Sequence, residues 1–171
     1  MSATNAAPPL PAAGIGAAAA AVRALAARGW QVATAESCTG GLVAALLTTE
    51  PGSSTNVLGS IVAYVDAVKV AQLGVDPGVL AAHGAVSEAT ALAMAEGVRA
   101  RLGADVGVSV TGLAGPAGDA RGNPVGRVWI GLATLDGARA TRFDFSGDRH
   151  AVRLAATIAA LDAVRAAASA R

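Results

Sequence analysis

The sequence predicts an α/β fold, a three-layer α/β/α sandwich around a mixed, mostly parallel sheet. Along most of the chain, short segments rich in valine alternate with longer alanine-rich segments of helical spacing. This alternation is typical of parallel strands that are covered by helices on both faces. Near the C-terminus, two strand-like segments, Val125–Leu135 and Ala138–Phe145, flank Asp136-Gly137. That arrangement predicts an antiparallel hairpin, which makes the sheet mixed.

The composition indicates one globular domain without a nucleic-acid partner. The chain has 171 residues, of which 53% are hydrophobic and 15% are charged, so it carries enough apolar surface to form its own core. Because only 3% of the residues are aromatic, we expect a core of Val, Leu, Ile and Ala. The net charge is +1 and no block of Lys and Arg stands out, whereas a nucleic-acid-binding surface needs clustered positive charge.

The cytoplasm is the expected location. Cys38 is the only cysteine, so no intramolecular disulfide can form and a reducing compartment is the simpler interpretation. Arg23 and Arg28 interrupt the apolar stretch that starts at Ile15, short of the roughly 20 uncharged residues that span a membrane. The N-terminus also lacks the basic region of a secretory signal. We therefore predict no membrane partner.

Local patterns define the elements of the first half. Residues 1–13 contain three prolines among small residues, which predicts a flexible tail before a domain over residues 14–171. Ala17–Arg28 has apolar residues at helical spacing and predicts a helix that ends at Gly29. The next predicted elements are a strand over Trp30–Ala35, a helix over Gly40–Leu47, a loop over Glu50–Ser54, a strand over Leu58–Tyr64 and a helix over Asp66–Leu73.

Capping residues and alternation define the second half. After a helical turn at Pro77–Ala82, Ser87 is a good N-cap for a long helix that runs to about Leu102. Valine at every second position of Asp105–Thr111 predicts a buried strand. The hairpin follows, and Asp148 then caps a closing helix that runs to the C-terminus.

Three unusual segments follow three of the predicted strands. They are Glu36–Gly41, Tyr64–Lys69 and Thr111–Pro116. In open α/β sheets, ligands bind beyond the carboxyl ends of the strands. We therefore expect the three segments to converge on one site.

Ser37 is the candidate nucleophile. It lies at a strand-to-helix turn, where free N–H groups and the helix dipole favour negative charge. Gly40 and Gly41 would let a substrate oxygen approach that backbone and form an oxyanion site. In the alternative without catalysis, Ser37 or Thr39 only caps the helix and the two glycines only permit packing.

Lys69 is the candidate base. A serine nucleophile needs a proton acceptor, and His83 and His150 form no obvious triad with an acid. Lys69 is the only lysine in a chain that otherwise uses arginine, and an amine can lose a proton where a guanidinium cannot. Tyr64, the only tyrosine, could assist this pair. The alternatives are that Lys69 is an ordinary surface lysine and that Tyr64 is a core aromatic.

The substrate-binding candidates are weaker signals. The turn after the third strand could surround a phosphate, and Arg149 at the start of the last helix could bind a phosphate or carboxylate. An exposed salt bridge is the alternative for Arg149. No group of His, Cys and Asp has ligand spacing, so we predict no metal site. The residues assigned to substrate binding are Glu36, Thr39, Gly40, Gly41, Thr111, Gly112, Gly115 and Arg149.

Five stretches, taken in order, resemble the nicotinamide-nucleotide amidases, also known as the CinA C-terminal domain family. The resemblance runs from about Ile15 to Arg165, nearly the whole chain. The stretches are Thr34–Gly41 (TAESCTGG), Gly84–Ser87 (GAVS), Gly112–Pro116 (GLAGP), Pro124–Trp129 (PVGRVW) and Gly147–Arg149 (GDR).

The resemblance implies a deamidase that converts nicotinamide mononucleotide to nicotinate mononucleotide and ammonia without a cofactor. It also implies that Ser37 is the nucleophile, that Lys69 is the base and that Tyr64 assists them. We expect the N–H groups of Thr39 to Gly41 to bind the oxyanion. Larger members of the family carry an N-terminal pyrophosphatase-like domain, an activity that we do not expect of this chain.

One segment departs from the family pattern. The family commonly has Tyr-Ser-Asn before two variable residues and the lysine, whereas this chain has Tyr64-Val65-Asp66-Ala67-Val68-Lys69. The departure leaves two alternatives to the deamidase: a nucleotide-binding module without catalysis, and a Ser–Lys amidase for another small substrate. Many small α/β enzymes form pairs, so we expect a homodimer.

Overall fold

Five strands form one sheet in the structure, a computed structural model that describes residues 10–170. The strands are β1 Val32–Glu36, β2 Val57–Val62, β3 Val106–Gly112, β4 Arg127–Thr134 and β5 Gly137–Asp144. Their order across the sheet is β2-β1-β3-β4-β5. β1 pairs in parallel with β2 and β3, and β4 pairs antiparallel with β3 and β5. Only β4 therefore runs against the other strands, and the predicted mixed α/β fold is confirmed.

Helices cover both faces of this sheet. They are α1 Ala12–Arg28, α2 Leu42–Leu47, α3 Asp66–Leu73, α4 Pro77–His83, α5 Glu88–Leu102 and α6 Arg149–Ser169, with a short 3₁₀ turn at Ser53–Thr55. One core cluster joins the sheet to α1, α2 and α6, and a second joins its other face to α3 and α5. These two clusters give the three predicted layers. No helix within residues 10–170 has the length and apolar character needed to cross a membrane.

The alternation within β3 explains how two helical layers fit. Val106, Val108 and Val110 point into the cluster on the α1–α6 face. On the other face, Ser109 donates to the Ala91 carbonyl of α5 across 2.6 Å, and a Cβ at Gly107 would lie 2.1 Å from a carbonyl oxygen of α5. Small residues on that face therefore let α5 lie directly on the sheet, because side chains alternate along a strand.

The first helix begins earlier than predicted. α1 starts at Ala12 rather than Ala17, so Ala12 and Ala13 are helical and do not belong to a tail. Pro11 has φ of −60° just before the helix, which suits the start of a helix. Gly14 lies inside this helix, and a Cβ at that position would lie 2.7 Å from Leu46 Cδ1. The missing side chain therefore leaves room for Leu46 of α2. The tail prediction for residues 1–9 lies outside the described residues.

The strand boundaries also differ from the predicted ones by one or two residues, and the differences after β2 and in the hairpin change the description of the chain. β2 ends at Val62 because its partner strand β1 ends at Glu36, the residue opposite. Tyr64 therefore lies in the connection to α3 rather than in the strand. In the hairpin, Thr134 pairs with Gly137, which puts the turn one residue earlier than Asp136-Gly137. The Asp136 N–H donates to Thr134 Oγ1 across 3.2 Å and fixes that turn.

Candidate active site

A cavity of about 240 Å³ lies where β1 and β3 end and where the chain passes from β2 into α3. The parallel pairing of β1 with both neighbours brings these three ends to one edge of the sheet. Of the residues assigned from sequence, the cavity is lined by Ser37, Tyr64, Lys69, Thr111, Gly112, Gly115 and Arg149. It is not lined by Glu36, Thr39, Gly40 or Gly41.

Ser37 is held by its backbone and has a free hydroxyl. Its N–H donates to the Val110 carbonyl across 2.9 Å, and its carbonyl accepts from the Gly40 N–H at 3.1 Å. The residue is only 8% exposed, and its side chain lines the cavity. Among residues 10–170 its Oγ has no hydrogen-bond partner, so the hydroxyl is available to a bound molecule.

Glu36 supplies the negative charge at the start of α2. Its carboxylate is fully buried and accepts hydrogen bonds from the N–H groups of Gly41, Val43 and Ala44 at 2.9–3.1 Å. A carboxylate in this position satisfies N–H groups that a helix leaves unpaired. The structure therefore puts Glu36 inside the fold as a helix cap, and it does not bring Glu36 to the cavity.

The same contacts limit which N–H groups could bind an oxyanion. The Gly40 N–H is paired with Ser37 and the Gly41 N–H is paired with Glu36. In this turn, the N–H groups of Cys38 and Thr39 have no oxygen acceptor within the described part of the chain. Gly40 and Gly41 instead have positive φ, at 61° and 93°, and let the chain enter α2.

Arg153 fixes the turn from the opposite end of the chain. Its Nε donates to the Cys38 carbonyl at 3.1 Å and its Nη2 donates to the Thr39 carbonyl at 2.7 Å. Sequence reasoning missed this residue. The available signal was its spacing, because Arg149 and Arg153 are four residues apart and therefore share one face of α6.

Lys69 is buried, and its amine already has partners. The residue is 1% exposed, and Nζ lies 3.1 Å from Asp66 Oδ1 and 3.5 Å from the Tyr64 carbonyl oxygen. The Asp66 side chain is 57% exposed. The structure excludes an ordinary surface lysine, since the residue is buried and lines the cavity that Ser37 also lines.

Tyr64 and Arg149 meet at the cavity. Arg149 Nη2 donates to the Tyr64 hydroxyl at 3.1 Å, and Nη1 donates to the Gly115 carbonyl at 2.7 Å. Tyr64 is 57% exposed, so it is not a core aromatic. Arg149 makes no salt bridge within residues 10–170, and its guanidinium joins α6 to the turn after β3.

The turn after β3 forms one wall. Thr111 is buried, and its hydroxyl donates to the Ala85 carbonyl across 2.7 Å. At Gly112 a Cβ would lie 2.6 Å from Val128 Cγ2, so only glycine fits against β4 there. Gly115 has φ of 93° and reverses the chain. Thr111 and Gly112 therefore shape the wall through packing and backbone contacts.

The remaining reactive side chains do not compete with Ser37. Burial raises the pKa of the Cys38 thiol to about 11, although a hydrogen bond from the Cys38 N–H and the charge of Arg153 partly oppose this effect, so the thiol is protonated at neutral pH. Neither His83 nor His150 lines the cavity. Within residues 10–170, no group of three His, Cys, Asp or Glu side chains could hold a metal ion.

Comparison with known proteins points to a single family. Residues 16–168 match the CinA C-terminal domain. A CinA-like protein of Gemmatimonas aurantiaca is 48% identical over 134 residues, and one of Frankia casuarinae is 52% identical over 134 residues. Each match covers 78% of this chain and 31% of the relative. The chain thus spans about a third of the length of these curated relatives.

A solved structure shares the fold over nearly its whole length. The competence damage-inducible protein A of Klebsiella pneumoniae superimposes with a TM-score of 0.87 at 38% identity. The match covers 90% of this chain and 95% of that one. Because the match extends over almost all of both chains, the two share one α/β architecture.

Proposed function

The chain belongs to the CinA C-terminal domain family, and on this premise we propose that it is an amidase that deamidates nicotinamide mononucleotide. The supporting observation is the cavity that Ser37, Lys69 and Tyr64 line together, with Arg149 at its edge. A nucleophile and an amine base in one cavity are the parts that covalent amide hydrolysis requires. The resemblance in sequence supplies the substrate.

The first step would be acylation of Ser37. Neutral Lys69 takes the proton from Ser37 Oγ while Oγ attacks the carboxamide carbon. The oxyanion that forms would be bound by the N–H group of Cys38, a residue that lines the cavity, and one such donor is worth about 3–4 kcal/mol. Lys69 then gives the proton to the amide nitrogen, the C–N bond breaks and ammonia leaves.

The second step would regenerate the enzyme. Lys69 takes a proton from a water molecule as the water oxygen attacks the acyl carbon. The bond from that carbon to Ser37 Oγ breaks, and Oγ recovers its proton from Lys69. The products are nicotinate mononucleotide and the free serine, so no oxidant, metal or cofactor enters the balance.

The other residues would orient the substrate. Arg149 is exposed at the cavity, and a guanidinium suits the phosphate of a mononucleotide. Tyr64 and the Gly115 carbonyl hold that guanidinium in place. The carboxamide would then lie at the buried end, beside Ser37. A cytoplasmic location and a homodimer remain predictions that accompany this proposal.

The test is ammonia release from nicotinamide mononucleotide by three purified proteins. We expect turnover by the wild-type chain, a loss of at least about 1000-fold in Ser37→Ala and wild-type turnover in Ser54→Ala. Ser54 is an exposed serine away from the cavity. Lys69→Arg should also be inactive, because a guanidinium stays protonated and cannot act as the base.

The outcomes separate the alternatives. Near-normal turnover by Ser37→Ala would contradict the mechanism. Saturable binding of the mononucleotide without ammonia release would favour a binding module. Turnover of nicotinamide or nicotinamide riboside in preference to the mononucleotide would favour an amidase for another substrate.

A further inference from the structure

A second cavity, of about 300 Å³, opens beside the active-site cavity. It lies between the N-terminal end of α5, the loop before β4 and the outer two strands of the sheet. The two cavities share one lining residue, Val86. Of the five stretches that carry the family resemblance, all within residues 10–170, Pro124–Trp129 alone gives no residue to the active-site cavity. Two of its side chains, Arg127 and Trp129, line the second cavity instead.

Three arginines from separate segments converge on this second cavity. They are Arg121 of the loop before β4, Arg127 of β4 and Arg142 of β5. The last two share one carboxylate, because their Nε atoms lie 2.9 and 3.5 Å from the two oxygens of Asp144. Both terminal nitrogens of Arg142 and one of Arg127 then have no acceptor within residues 10–170. Glu88 also lines the cavity, so three guanidiniums meet a single carboxylate among the lining residues.

Arg121 is fixed at this cavity by the protein itself. Its guanidinium donates to the carbonyls of Ala81 and Ala82, at the end of α4. Gly84 has φ of 79°, and a Cβ there would lie 2.6 Å from Arg121 Cδ. The glycine therefore leaves the space that the arginine stem occupies. Because ordering a long side chain costs entropy, a guanidinium that is already held binds an anion at lower cost.

Trp129 adds an aromatic surface to the same cavity. It pairs with Arg142 across β4 and β5, and residues directly opposite in such a pair lie side by side on one face of the sheet. Trp129 is half-buried, so part of its ring is accessible. Guanidiniums bind phosphate and carboxylate groups, and an aromatic ring stacks on other planar rings. The cavity therefore combines the two features that recognise a planar ring joined to an anion.

We propose that this second cavity binds a nucleoside monophosphate, with the phosphate at Arg127 and Arg142 and the base against Trp129. Its volume of about 300 Å³ is at the lower end of the range of small-molecule sites. Neither Ser37 nor Lys69 lines it. The inference is therefore independent of the proposed amidase activity.

Tryptophan fluorescence reports on this cavity, because Trp30 and Trp129 are the only tryptophans in the chain. Trp30 stacks under Arg28 just before β1, so Trp30→Phe leaves Trp129 as the single emitter. We expect adenosine 5′-monophosphate to quench this emission saturably. Adenosine, which lacks the phosphate, and ribose 5-phosphate, which lacks the base, should each bind at least about 10-fold more weakly. Isothermal titration calorimetry measures the same three ligands on the wild-type chain, without the Trp30 substitution.

Arg142→Ala should weaken binding of adenosine 5′-monophosphate by at least about 10-fold, because it removes a charged donor to the phosphate. Arg142 is exposed, and Asp144 keeps its contact with Arg127 in this variant, so we expect it to fold. Arg139→Ala is the matched control. Arg139 is an exposed arginine of the same strand that lines a different cavity, so its loss should leave binding unchanged. Thermal melts check that both variants are folded.

The absence of saturable binding of adenosine 5′-monophosphate overturns the proposal. Equal affinity for ribose 5-phosphate overturns the stacking of the base on Trp129, and an equal loss in Arg139→Ala and Arg142→Ala overturns the phosphate contact. Loss of binding in Arg149→Ala would put the ligand in the active-site cavity and overturn a second site, since Arg149 does not line this cavity. If the protein released no ammonia from nicotinamide mononucleotide, the proposed function would fail, and these binding measurements would still decide the second site.

Discussion

The guanidinium of Arg149 donates a hydrogen bond to the Tyr64 hydroxyl across 3.1 Å, although the two residues are 85 positions apart. This contact joins the start of α6 to the connection between β2 and α3. The other arm of the guanidinium reaches the Gly115 carbonyl. Three separate segments therefore hold one cation at the edge of the cavity.

Arg149→Ala should weaken binding of a phosphorylated substrate. A hydrogen bond to a charged group contributes about 1.5–3 kcal/mol, so KM for the mononucleotide should rise by about 10- to 150-fold. The effect on nicotinamide riboside, which lacks the phosphate, should be much smaller. Steady-state kinetics with both substrates measure this difference.

The control for that experiment is Arg23→Ala. Arg23 is an exposed arginine of α1 without a hydrogen bond or salt bridge among the described residues. Equal increases in KM for the two substrates in Arg149→Ala would argue against a phosphate contact.

Arg153→Ala should lower kcat more than it raises KM. Arg153 donates to the carbonyls of Cys38 and Thr39, so its loss frees the turn that carries Ser37. Small misplacements of a nucleophile cost rate, and we expect a loss of about 10-fold or more. Arg165→Ala removes an exposed arginine of the same helix and should leave kcat unchanged. A rise in KM alone would instead place Arg153 in substrate binding.

Glu36→Gln should destabilise the fold. An amide loses the charge and one of the oxygens that accept from three N–H groups. We expect the free energy of unfolding to fall by about 1–3 kcal/mol, measured by urea denaturation. Glu96→Gln, at an exposed position of α5, is the matched control and should change stability little. A stable Glu36→Gln that had lost activity would instead support the predicted role of Glu36 in substrate binding.

The Cys38 thiol should resist alkylation in the native protein. With its pKa at about 11, about one thiol in a thousand is ionised at pH 8, and the thiolate is the reactive form. Iodoacetamide should therefore label the folded protein slowly and the urea-unfolded protein rapidly. Rapid labelling of folded protein at pH 8 would contradict the buried, protonated thiol.

The same shift affects stability at high pH. The pKa of Cys38 rises from its ordinary 9.0 to about 11 on folding, so the folded state holds the thiol proton more tightly than the unfolded state does. This contribution to stability is present below about pH 9 and is lost as the pH rises towards 11. In Cys38→Ala that part of the alkaline loss should disappear from denaturation curves.

Sequence reasoning located the fold and most of the cavity. The alternation of strands and helices predicted the three layers, and the rule that sites lie beyond strand ends predicted that Ser37, Lys69 and Gly115 would converge. It also identified the single lysine as unusual. These inferences depend on local periodicity and on connection rules, both of which can be read along the chain.

The roles within the first turn could not be predicted in the same way. Glu36 was expected to bind substrate, yet its carboxylate turns back to cap α2, and the N–H groups of Gly40 and Gly41 are occupied by protein oxygens. Which acceptor a particular N–H group meets depends on small rotations of the chain that no residue pattern records.

By itself the sequence determined the layered α/β architecture, the edge of the sheet where the cavity lies and the residues able to act as nucleophile and base. Only the tertiary structure decided that Arg153 fixes the Ser37 turn, that Arg149 meets Tyr64 and that Asp66 contacts the lysine amine. The physical reason is that hydrogen bonds and ion pairs act over about 3 Å. Partners distant in the chain become neighbours only after the sheet and α6 have packed.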